Sequence, residues 1–151
     1  MSRDSLTGLI LFSLVLSVSA GIDSTLILFD DSKIHHYELK FYCTDWEDSL
    51  VYYKSLDENH YIPARFLYHA SPTDSIVLDS IGVRYKGNSS YRMGAPKYSF
   101  KVDFNRYVSG QTFHGLKKLN FNNNFKDPSL MREWLAYHLH RAAGVTAGRT
   151  A

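Results

Sequence analysis

The sequence predicts an α+β fold, a mainly antiparallel sheet plus one long helix, and three observations predict it. Residues 98–104, "YSFKVDF", alternate apolar and polar without a break. Several other extended stretches are separated by turn-forming residues, as in hairpin-connected strands. Residues 126–145, "KDPSLMREWLAYHLHRAAGV", carry helix signals at both ends. With 151 residues, 44% of them hydrophobic and 15% aromatic, the chain holds enough apolar material for one packed domain and too little length for two.

Residues 1–20 are read as a secretory signal peptide. Arg3 supplies a positive start, "GLILFSLVLSVSA" an apolar run, and Val18-Ser19-Ala20 the small residues of a cleavage site before Gly21. The run from Leu6 to Ala20 is shorter than the ~20 apolar residues of a spanning helix, so no transmembrane segment is expected after its removal. Cleavage would remove one cation and one anion and leave the net charge at +2, too mild an excess to indicate a nucleic-acid partner. Cys43 is the single cysteine; it forms no internal disulfide and is read as a small buried thiol.

In "KIHHYELKF", residues 33–41, His35, Tyr37, Leu39 and Phe41 share one face of a strand. His35 and His36 therefore point to opposite faces and are not expected to share a metal ion. Thr44 or Asp45 would cap a short helix with Glu47 and Asp48 in its first turn. Pro63 in "HYIPARFLYH" marks an edge strand or a strand start. "SPTDS" is a turn, and "IVLDSIGVRYKG" follows as one or two strands.

In residues 98–104, Tyr98, Phe100, Val102 and Phe104 form a core face, whereas Ser99, Lys101 and Asp103 form a polar one. After a turn, "LKKLNFNNN" gives one more strand. In the final helix Asp127 is the expected cap, Pro128 the first helical residue and Gly144 the stop. Some 16 residues would make a rod of roughly 24 Å. Its apolar residues cover so much of the circumference that the helix is expected to lie between two layers.

Residues 87–97, "GNSSYRMGAPK", join two of these strands. The stretch "GVRYKGNS" approaches the phosphate-loop pattern, but Asn88 stands where the lysine belongs and Gly82–Lys86 read as extended, so that motif is rejected. Gly87 still permits close backbone approach, and Asn88, Ser89 and Ser90 can donate to an anion, with Arg84, Lys86, Arg92 and Lys97 nearby. An ordinary hairpin connection with solvated cations is the competing reading. Asn88-Ser89-Ser90 is also a glycosylation sequon. Nucleotide kinase sites place a glycine-containing loop, a strand lysine and a helix glutamate together. Lys101 is the strand lysine here, and Glu133 is the available glutamate.

Four ordered blocks, "VRYKGNSS", "PKYSFKVDF", "GLKKLNF" and "DPSLMREWLAYHLHRAAGV", resemble the N-terminal half of the CotH family, atypical protein kinases named after spore coat protein H. The resemblance runs from about Leu28 to the end. It implies that residues 21–151 are the N-terminal part of a kinase-like domain, similar to the N-terminal lobe of an atypical kinase. It further implies ATP with Mg2+ as cofactor and exported protein substrates or coat and surface proteins as partners, hence a secreted location. Carried over, Gly87, Asn88, Ser89 and Ser90 approach the nucleotide phosphates and Lys101 contacts nucleotide, with Lys97 as the competing lysine. Glu133 as the lysine's partner follows from kinase geometry. The acidic residues that position the hydroxyl and hold metal lie in the family's second half, so no catalytic residue and no metal ligand is assigned in this chain. A non-catalytic extracellular or coat interaction protein, using a surface rich in the chain's 11 tyrosines, is the alternative.

Overall fold

The computed structural model describes residues 24–56 and 59–150. Residues 1–20, expected to be a signal peptide, lie outside them. A 3-10 turn, Ser24–Phe29, is followed by β1 His36–Phe41, α1 Trp46–Ser55, β2 Ile62–Ser71, β3 Asp74–Lys86, β4 Ser99–Asp103, β5 Lys118–Phe121 and α2 Arg132–Ala142. The five strands form one sheet in the order β1-β2-β3-β4-β5, and each neighbouring pair is antiparallel. The expected α+β class and antiparallel sheet are thus observed.

The alternation of the sequence becomes the core. Ala64 and Phe66 on β2, Ile81 and Val83 on β3, and Val102 on β4, with Phe104 just beyond it, are fully buried. Tyr37, Leu39 and Phe41 of β1 and Leu119 and Phe121 of β5 pack against this cluster. Phe113, from the connection between β4 and β5, meets Phe66 edge to face with ring centroids 4.9 Å apart, a geometry worth about 0.5–1.5 kcal/mol beyond the area buried. At one end of the sheet α1 seats Leu50 against Ile62 and Tyr85. Trp46 at its start stacks on Phe41 with centroids 4.4 Å apart. Cys43 joins this second cluster half-buried rather than fully buried.

"SPTDS" makes the β2–β3 turn, with Ser71 paired to Asp74. Pro63 is the second residue of β2, facing Gly82 of β3 and lying beyond the β1 pairing, which ends at Ala64. β3 is one 13-residue strand rather than two. A register shift opposite Arg65 absorbs an extra residue, with Ser80 at φ 53, and Asp79 ion-pairs with Arg65 across it at 2.5 Å. His35 is a structural histidine: its ring nitrogens meet the Tyr68 hydroxyl at 3.1 Å and the Asp30 carbonyl at 3.0 Å.

Two expectations are corrected. The final helix, α2, has 11 residues and starts at Arg132, so Asp127 is not its N-cap residue and Pro128 is not its first residue. The Asp127 carboxylate accepts from the Ser129 amide at 3.0 Å and hydroxyl at 2.6 Å, closing a local turn that competes with helix. Leu130 then takes φ 61, which no helix admits. Asp127 still serves α2, accepting the Arg132 amide at 2.8 Å from outside it. Nor is α2 sandwiched: among the described residues none of its side chains is buried.

Its C-terminus is as expected. Gly144, at φ 76, donates to the Arg141 carbonyl, and Val145 donates to that of His140, the paired bonds of a Schellman end. Among the described residues no helix is long and apolar enough to cross a membrane.

Candidate functional site

β3 and β4 place Arg84, Lys86, Ser99, Lys101 and Asp103 on the sheet face opposite the core. Their register sets Arg84 against Lys101 and Lys86 against Ser99. Asn120 of β5 is the other neighbour of Lys101. This face is less open than its polar residues suggest. Ser99 and Asp103 are both buried, Ser99 accepting the Asn123 amide at 2.9 Å and Asp103 pairing with Lys118 at 3.4 Å.

At the β3–β4 end lies a cavity of about 560 Å³, lined by Lys54, Asn59, Arg84, Lys86, Gly87, Asn88, Ser89, Lys101 and Asn120. Four cations share it with amides, a hydroxyl and a glycine backbone, and among the described residues no carboxylate is in its wall. Like charges held together in a half-buried space favour an anion between them. Burial pushes the Lys86 ammonium below the usual lysine range; Lys101 and Arg84 push it the same way, and Glu133 opposes them.

Gly87 makes the loop possible. Its φ is 94, and a Cβ there would stand 2.0 Å from the Ser90 hydroxyl oxygen. The loop is then pinned from the far side. The Asn123 side-chain amide donates to the Ser90 carbonyl at 3.3 Å and to that of Lys97 at 3.4 Å, while the Gly94 amide donates to the Tyr98 hydroxyl at 2.8 Å. Tyr91 packs against Tyr85 and Tyr98.

Next to this cavity is a second, of about 380 Å³, whose wall includes Ser90, Ser99, Asn122, Asp127, Glu133 and again Lys86. The Lys86 ammonium donates to Asn122 Oδ1 at 2.7 Å, and Asn122 Nδ2 donates to both Glu133 carboxylate oxygens, at 2.7 and 2.6 Å.

Of the residues singled out from sequence, Gly87, Asn88, Ser89 and Lys101 converge on the cationic cavity. Ser90 and Glu133 belong to its neighbour. Lys97 lies apart, with an exposed side chain and only its carbonyl tied to the network. Arg92 also leaves the site, stacking over Phe125 at 5.2 Å. Sequence reasoning missed Lys54, Asn59, Asn120 and Asn122. The first two lie in and after α1, far along the chain. The amide-rich "LNFNNN" is the signal that could have marked the others.

No curated protein and no solved structure matches the chain. A family model described as CotH kinase protein matches residues 83–151, the end of β3 through α2, which carry every cavity residue except Lys54 and Asn59. The CotH resemblance read from Leu28 onward is thereby shown from residue 83, and this part of the chain is CotH-like.

Proposed function

We propose that the chain supplies the nucleotide side of a CotH-like secretory protein kinase and that its cationic cavity receives the phosphates of ATP. One observation carries this reading: four cations and a glycine-hinged loop surround about 560 Å³ with no carboxylate among the described residues of the wall. That volume is in the range of small-molecule sites, roughly 300–1,000 Å³. The donor set fits a polyphosphate, which needs several N–H and O–H groups converging from different directions. It does not supply an apolar slot for a purine, so the fit concerns the phosphate end of the nucleotide. Magnesium would arrive with the nucleotide and screen its charge; no residue of this chain is assigned to it.

Phosphoryl transfer also needs an acidic group to orient the attacking hydroxyl. Among the described residues the cavity holds none, and the chain alone is expected to bind nucleotide without transferring phosphate to protein substrates. Export to a coat or cell surface belongs to the same reading. Titration calorimetry with Mg-ATP tests it. The expected result is binding that weakens with added salt and is absent for adenosine. No heat and no thermal stabilisation at millimolar Mg-ATP would reject it.

A second reading, a non-catalytic extracellular or coat interaction module, is favoured by a specific observation. Met131, at the N-cap of α2, and Leu135 and Leu139 within it follow one another at helical spacing, and all are about half exposed. Concentration-dependent association in the ultracentrifuge, with no response to nucleotide, would select it.

A further inference from the structure

We propose that Lys86, rather than Lys101, is the cation that grips the bound phosphate, and that Asn122 is a positioning residue tying Lys86 to Glu133. This deepens the nucleotide reading and rests on it.

The two lysines differ in placement. Lys86 lines both the cationic cavity and its neighbour, whereas Lys101 lines only the first and Glu133 only the second. Lys86 is thus the group at which the glycine loop's cavity and α2 meet. Among the described residues the Lys101 side chain has no hydrogen bond or ion pair, although its backbone is paired in the sheet, and that side chain must lose its rotamer freedom when a ligand arrives. Lys86 has already lost that freedom to Asn122. Among the described residues one of its three N–H groups is used, and two remain for an anion.

The bridging amide has a fixed sense. Turning Asn122 over would set its NH2 against the Lys86 ammonium and its carbonyl against the Glu133 carboxylate, so both charges select the same orientation. The amide also does what a direct ion pair would not. It holds the ammonium in place while keeping the carboxylate one residue away, so the positive charge stays available to the ligand. Asn122 is itself anchored, since it follows directly on β5 and the next residue, Asn123, is bonded to Ser99, Ser90 and Lys97. The charged groups acting on Lys86 are Arg84 and Lys101 from the sheet and Glu133 from α2. A phosphate entering the cavity would meet four cations there; Asn122 pre-orients Lys86, and the Tyr85 carbonyl and Tyr61 ring hold Arg84, whereas Lys101 has no such anchor among the described residues.

The experiment measures binding of Mg-ATP, and of inorganic tripolyphosphate as a base-free probe, to the whole chain and to variants checked for cooperative unfolding. A lost charge-assisted bond predicts affinity about tenfold weaker in Lys86→Gln, and about threefold or less weaker in Lys101→Gln. Asn122→Leu, which removes the bridge and leaves both charges, should weaken binding about fivefold. Asn122→Asp should also weaken it, since its carboxylate would sit directly on the Lys86 ammonium, and Asn122→Leu should add no further loss in the Lys86→Gln background, because Asn122 acts through Lys86. A merely structural role for Asn122 would weaken binding in both backgrounds.

In the unsubstituted protein, the Lys86 ammonium resonance should move more than that of Lys101 on adding tripolyphosphate. This keeps the test open if a variant fails to fold. The inference is overturned if Lys101→Gln is the more damaging change, if Lys101 shows the larger shift, or if Asn122→Leu is as damaging in the Lys86→Gln background as it is alone. Those outcomes leave the nucleotide reading standing, whereas an unsubstituted chain that binds neither probe rejects both.

Discussion

The two helices have similar lengths, 10 and 11 residues, and opposite relations to the sheet. α1 carries Glu47 and Asp48 in its first turn and Lys54 in its last, a charge order that suits the helix dipole, yet its place is fixed by Leu50 under Ile62 and Tyr85. α2 has Glu133 first and His140 and Arg141 last, the same order, and a well-formed glycine end. It nevertheless buries nothing among the described residues and reaches the sheet region through polar groups, chiefly Glu133 through Asn122. The lesson is that end signals make a helix, but only an apolar contact makes it part of a core. The difference also divides the labour: α1 brings Lys54 to the cavity from a rigid seat, whereas α2 orients a charge at its rim.

The largest test of this contrast is a matched pair of truncations. Leu50→Ala should cost about 2–5 kcal/mol of global stability, and Leu139→Ala less than about 0.5 kcal/mol, as read by urea unfolding. Similar losses for both would show that α2 is packed after all. A smaller effect is expected from Gly144→Ala, where nothing lies within 4 Å of an added Cβ and the cost is backbone alone. Forcing φ 76 on alanine should cost about 1–2 kcal/mol, confined to the last turn of α2 and visible as faster amide exchange there.

The smallest effect is electrostatic. The Ser129 hydroxyl, then the Arg132 and Ser129 amides, hold the Asp127 carboxyl below the usual carboxylate range. A carboxylate with a lowered folded value stabilises above its unfolded value, near pH 4, and that contribution is lost as pH falls through the folded one. The Arg132 amide resonance should therefore move on acidification below about pH 4, and this shift should vanish in Asp127→Asn.

Much of the candidate site was legible because its key residues are close in sequence and obey strand periodicity. A two-residue repeat was enough to place Lys101 on the face away from the aromatic core, and the glycine at position 87 announced a tight loop. What was not legible came from elsewhere in the chain. Lys54 enters from α1, across the whole of β2 and β3, and no local pattern points to it. The pairing of Glu133 with Lys101 was expected from kinase geometry. The register instead put Lys86 opposite Ser99, beside the β5 end, where Asn122 could reach it. The α2 start failed for a related reason: Asp127 and Ser129 each favour a cap in isolation, and together they closed a turn before the helix began.

The sequence by itself determined the antiparallel sheet, the aromatic face of β4, the turn at residues 71–74 and the glycine stop of α2, because each follows from residues within a few positions of one another. Only the tertiary structure decided which cations share a cavity, which lysine is held by Asn122, and that α2 lies outside the core. Those outcomes depend on strand register and on contacts between distant segments, and a single chain's local pattern does not encode them.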